Sequence, residues 1–102
     1  MESLVTEQTE AKKQKEIFIQ EELERRILHG LSCEWDLATQ ELKTAYKEKL
    51  RKPMISINNI KSKWGYWSHE KRTICLSRNL VLEHSWDSVR EVLLHEIAHQ
   101  FA

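Results

Sequence analysis

The stretch that most constrains this chain is Ser85 to Ala102, SWDSVREVLLHEIAHQFA, because it carries His95, Glu96 and His99 in the H-E-x-x-H spacing. On a helix the two histidines lie one turn apart on the same face, so both imidazoles can reach one metal ion with Glu96 beside them. At 100° per residue, Trp86, Val89, Leu93 and Ile97 form an apolar stripe roughly opposite that pair. The segment therefore reads as a helix that buries one side and offers ligands on the other. Ser85 is placed to cap its start, and Asp87 complements the helix dipole in the first turn.

Those three side chains suggest a specific chemistry. Zinc held by neutral imidazoles acidifies water and polarises a carbonyl, and a neighbouring carboxylate can accept the water proton. His95 and His99 are the candidate metal ligands and Glu96 the candidate general base, which later returns a proton to a leaving amine. The same donors accept other divalent ions. A catalytic zinc normally takes three protein ligands, and only two stand at motif spacing. His29, His69 and His84 all precede the helix and read as surface histidines. The third ligand is expected beyond Ala102 in a longer chain, which would leave residues 1–102 a weak zinc binder.

Upstream, about Glu10 to His29 is rich in Lys, Glu, Gln and Arg, with Ile19, Leu23 and Ile27 four residues apart. This predicts an amphipathic helix ending at Gly30 as its C-cap, with a solvated charged face. A second helix is expected from about Asp36 to Arg51, stopped by Pro53. Met54 to Ile60 alternates Ile55 and Ile57 with Ser56 and Asn58, the pattern of a strand. Lys61 to Lys71 reads as a connection around Gly65. Arg72 to Ser77 is then expected to pair antiparallel with the first strand, since so short a link leaves no room for a crossover helix. Asn79 to His84 reads as a short bridge anchored by Leu80 and Leu82. The fold class is α+β: two N-terminal helices, a β-hairpin of a small antiparallel sheet, then the H-E-x-x-H helix.

The 102 residues, 40% of them apolar, suffice for one small domain. Sixteen basic and sixteen acidic residues cancel, so net charge favours no class of partner. Locally, Lys43, Lys47, Lys49, Arg51, Lys52, Lys61 and Lys63 stand against the single acid Glu48, and Trp64, Tyr66 and Trp67 follow as stacking candidates. That combination suits DNA contact, particularly with single strands, against the plainer reading of solvated lysines and core aromatics. Cys33 and Cys75 lack CxxC spacing and read as inert thiols. With neither a signal-peptide pattern nor an apolar run able to span a bilayer, a cytoplasmic setting is the expectation.

The run from Lys63 to Ala102 resembles the core of SprT-like zinc metallopeptidases. The matching pieces are Trp64–Gly65, RTICLSRNL from Arg72 to Leu80, and VLLHEIAHQ from Val92 to Gln100. The resemblance implies a zincin-like peptidase fold, with His95 and His99 as zinc ligands, Glu96 as catalytic acid/base and a third histidine further downstream. Residues 1–102 would then be the N-terminal part of a single such domain. It also implies a protein or peptide substrate lying extended along a strand near the motif helix, for which Arg72 to Ser77 is the candidate. Relatives that digest protein crosslinked to DNA lend interest to Lys43–Lys63. A partial likeness to peptide deformylase, through Cys75, Leu76, Ser77 and HEIAH, stops at Ile74, where a glycine is expected. The non-enzymatic alternative is a nucleic-acid-binding or interaction module with an incomplete metal site.

Overall fold

A computed structural model describes residues 2–46 and 51–101, with side chains from 9–40, 42 and 51–101. The chain order is helix α1 (Glu2–Tyr46), strands β1 (Met54–Asn58), β2 (Gly65–Ser68) and β3 (Thr73–Ser77), then helices α2 (Arg78–Glu83) and α3 (Trp86–Gln100). The α+β class agrees with expectation, while the arrangement inside it differs in three places.

The first difference is the N-terminal helix. The two helices expected from the sequence are one, and Gly30 lies inside α1 with no positive φ, so it does not form a left-handed C-cap. Its missing side chain serves packing instead. The Trp86 ring lies over Gly30, and a Cβ there would stand 3.1 Å from the ring. At about 1.5 Å per residue, 45 residues account for the molecule's 67 Å long dimension. Of the expected apolar stripe only Ile27 packs against the core, whereas Ile19 and Leu23 remain exposed. Arg51, the end expected for the second helix, is not helical; α1 runs to Tyr46, and residues 47–50 lie outside those described.

The second difference is the sheet. Its strand order is β1-β3-β2, with β1 parallel to β3 and β2 antiparallel to it. The expected hairpin between the first and last strands is therefore wrong. The connection at residues 59–72 contains a strand of its own, and this strand, rather than a helix, makes the crossover that a parallel pair needs. The hairpin is β2–β3, closed by residues 69–72, where Arg72 adopts a left-handed φ of 49°. Its guanidinium reaches the Arg51 carbonyl at 3.2 Å and lies over the Trp67 ring. The third difference is small: the bridge after β3 is the helix α2, capped by the Ser77 hydroxyl, which accepts from the Leu80 amide.

The core forms where α1, α3 and one sheet face meet. Leu31 and Trp35 come from α1, Ile74 and Leu76 from β3, Leu80 from α2, and Val89, Leu93 and Ile97 from α3. The stripe expected on α3 is thus buried apart from Trp86, which covers Gly30 and donates its indole N–H to Glu34 at 3.3 Å. Two contacts fix α3 against α1, and a third ties it to the segment before β1. Arg90 forms an ion pair with Glu34, Trp35 Nε1 donates to Gln100 Oε1 at 3.1 Å, and Gln100 Nε2 donates to the Arg51 carbonyl at 3.2 Å. Among the described residues, no helix is long and apolar enough to cross a membrane.

Candidate active site

Helix α3 starts as the sequence suggests. The Ser85 hydroxyl accepts from the Ser88 amide at 3.3 Å, Asp87 sits in the first turn and His99 in the last. With Val89, Leu93 and Ile97 drawn into the core, the helix is held at an azimuth that turns His95 and His99 outward. Their Nε2 atoms converge to 3.0 Å, with the rings edge to face. Two nitrogens each about 2.0–2.1 Å from a shared tetrahedral ion stand roughly 3.3 Å apart, so the pair fits one metal with a shift of a few tenths of an ångström. Without metal, the same closeness lets one Nε2–H donate to the other Nε2.

Glu96 differs from its neighbours in burial. It is 5% exposed while both histidines are exposed, and it makes no hydrogen bond or ion pair among the described residues. Its carboxylate borders two adjoining hollows. One, of about 310 Å³, is walled by Trp64, Gly65, Glu91, Val92 and His95. The other, of about 370 Å³, is walled by Lys63, Gly65, Tyr66, Trp67 and both histidines. Strand β2 forms the opposite wall of each. This strand carries no period-2 signal, because Gly-Tyr-Trp-Ser has no alternation of apolar and polar residues.

Gly65 allows β2 to lie this close. A Cβ on it would stand 2.8 Å from the Cys75 carbonyl, 2.9 Å from Leu76 Cδ2 and 3.3 Å from Val92 Cγ1. The first of these is backbone and cannot rotate away. Gly65→Ala is expected to cost about 2 kcal/mol through overpacking, read as a lowered denaturation midpoint. A variant as stable as the parent would show that the approach is not tight.

Strand β3, expected to receive substrate, is the central strand and has both edges paired. Strand β2 pairs on one side only, so the free edge facing α3 belongs to it. Cys75 is turned away from the histidine pair. It alternates with the core residues Ile74 and Leu76, and its sulfur accepts from the Ser56 hydroxyl at 3.3 Å and the Asn58 amide at 3.7 Å. The same sulfur bears on Tyr66, whose hydroxyl pKa is raised above the ordinary tyrosine value. The hydrogen bond with Cys75 is the largest cause, followed by the charge on Cys75 and by desolvation, with Asn58 opposing.

The remaining histidines do not join the pair. His29 lies beside Cys33 on α1, His69 sits in the β2–β3 turn, and His84 meets the Trp64 ring edge to face at 4.8 Å. No group of three or more His, Cys, Asp or Glu able to hold a metal occurs among the described residues. The basic stretch is dispersed. Lys52 is held by Asp36 at 2.9 Å, Lys63 lies over Tyr66, and the side chains of Lys43, Lys47 and Lys49 fall outside the described residues.

The family model of the SprT-like family matches residues 35–102, two thirds of the chain. The chain belongs to the SprT-like family. The match begins at Trp35, the α1 residue that hydrogen-bonds Gln100, and covers the whole sheet and α3. The part of α1 before Trp35, including the core residue Leu31, lies outside it. Comparison with curated proteins and with solved structures finds no match. SprT-like membership suggests a metallopeptidase-type function, and this family is generally metal-dependent.

Proposed function

We infer that this SprT-like chain carries the catalytic helix of a zinc-dependent peptidase that hydrolyses peptide bonds in a protein or peptide substrate. The observation that supports it most is the convergence of His95 and His99 Nε2 to 3.0 Å beside the buried carboxylate of Glu96. His95 and His99 would hold the ion, which when bound supplies Lewis acidity toward a carbonyl and acidifies water. Glu96 takes the proton of the attacking water and hands it to the departing amine. Its burial against Gly65 and Val92 limits the alternative hydrogen-bond partners that bulk water would offer. The free edge of β2 aligns an extended chain through backbone hydrogen bonds, which makes the reading tolerant of substrate sequence.

Two imidazoles are one donor fewer than a catalytic zinc usually takes, so a further donor has to come from outside the described residues. The two imidazoles by themselves are accordingly expected to bind zinc weakly. Digestion of an unfolded protein by the natural protein tests the function. Activity should vanish with a chelator and return on adding zinc, and hydrolysis unaffected by the chelator would refute the reading. Equilibrium dialysis on residues 1–102 locates the further donor: tight one-to-one zinc binding would place it within them.

The DNA-associated version of this function has less support in the site. Trp64 keeps an exposed ring, but Tyr66 is covered by Lys63 and Trp67 by Arg72, so one stacking surface remains of three.

A further inference from the structure

A concavity of about 790 Å³ reaches the candidate site through Trp64 and is not used by the chemistry above. Asn59, Lys61, Lys63, Trp64 and Asn79 supply its polar and aromatic lining, and no acidic side chain joins them. Trp64 also walls the hollow that holds His95 and Glu96, so the two spaces adjoin across one indole. We propose that this concavity is a subsite for an acidic side chain of the peptide substrate, on the C-terminal side of the bond that is cut. The inference rests on the peptidase reading of the adjoining site.

Charge and shape carry the first half of the proposal. Neither Lys61 nor Lys63 has an ion pair among the described residues, so both charges can act on a bound group. Lys63 is partly committed to Tyr66, with its ammonium 4.7 Å from the ring centroid, which leaves Lys61 as the main contact. The wall is fixed before anything binds. Ser77 donates its amide to the Trp64 carbonyl at 2.8 Å and its hydroxyl to the Ile60 carbonyl at 3.3 Å, while Arg78 donates to Asn59 Oδ1 at 2.7 Å. A preformed wall avoids the entropy cost of ordering a loop on binding.

Direction follows from the sheet. A peptide pairing antiparallel with β2 runs opposite to it, passing Ser68 and Tyr66 before Gly65, and leaves over Trp64. The residues that follow the cut bond therefore arrive at the lysines. A nucleic-acid strand fits less well, because successive phosphates need a run of cations. Here Asp36 holds Lys52, and Glu91 borders the next hollow, where it would repel a second phosphate.

The test compares peptides identical except for Glu or Gln at one of the three positions after the cut bond. On the Glu96→Gln protein, in which slow turnover is expected to leave the peptide intact during the measurement, binding is followed by NMR of the Trp64 indole N–H. The Glu peptide should bind about three- to tenfold more tightly, as expected for one or two exposed ion pairs, and added salt should narrow the gap. Lys61→Ala should remove most of this preference, Lys63→Ala less of it, and Lys61→Glu should invert it. Equal affinity for the two peptides overturns the proposal. So does a single-stranded oligonucleotide that perturbs Trp64 at concentrations where the Glu peptide does not. If the preference holds while the natural protein cleaves neither peptide, the peptidase reading fails and the acidic subsite stands.

Discussion

Glu96→Gln is expected to lower peptide hydrolysis by about a thousandfold while leaving the fold and the metal in place, since a positioned general base contributes roughly 10²- to 10⁴-fold. The substitution replaces one carboxylate oxygen with an amide nitrogen of nearly the same size. Glu96 is 5% exposed and has no ion pair among the described residues, so the amide fills the same space and strands no cation. Folding stability should stay within about 0.5 kcal/mol of the parent. His95 and His99 point their Nε2 atoms at each other, and Glu96 is not needed to hold either ring in that geometry. Zinc affinity is therefore expected to be unchanged, whereas His95→Ala or His99→Ala should remove it. Retained turnover in Glu96→Gln would rule out the proton-transfer role. Loss of zinc together with turnover would instead make Glu96 a ligand.

The site helix was legible because its signals are local. Ser85, Asp87 and the Val89–Leu93–Ile97 stripe lie within one element, and together they fix both its start and its azimuth. Helix α1 was misread for the opposite reason. Gly30 favours a helix end by intrinsic propensity, and what keeps the helix continuous there is the ring of Trp86, 56 residues further on. Strand β2 was invisible because its four residues are all half-buried and two consecutive ones are aromatic, so no period-2 signal exists. Missing β2 in turn forced the wrong pairing of β1 with β3. The connection between β1 and β3 is too short for a crossover helix, and a strand makes the crossover instead. In the site, the three motif residues were legible, while the edge that faces them depends on strand order and was assigned to β3.

Trp35→Ala is expected to be the most damaging substitution for the fold. Trp35 is fully buried, lies in the cluster with Leu31, Ile74, Val89 and Leu93, and hydrogen-bonds Gln100, one residue from His99. Truncating a buried tryptophan typically costs about 3–5 kcal/mol from lost transfer energy and the cavity left behind. For a domain of this size each kcal/mol lowers Tm by roughly 4–8 °C, so a loss on the order of 15–30 °C is expected, enough to unfold a marginal domain outright. Trp35→Phe separates packing from hydrogen bonding. It keeps most of the apolar volume but removes the indole N–H, leaving Gln100 Oε1 without its donor while Gln100 Nε2 can still reach the Arg51 carbonyl. That variant should remain folded at a cost of about 1–3 kcal/mol. If the Trp35–Gln100 contact also sets the last turn of α3, zinc should bind more weakly to Trp35→Phe than its stability loss alone explains, with Glu96→Gln, at full stability, as the reference. Undiminished zinc affinity in Trp35→Phe would confine Trp35 to the core, and a Tm within a few degrees of the parent in Trp35→Ala would contradict the packing itself.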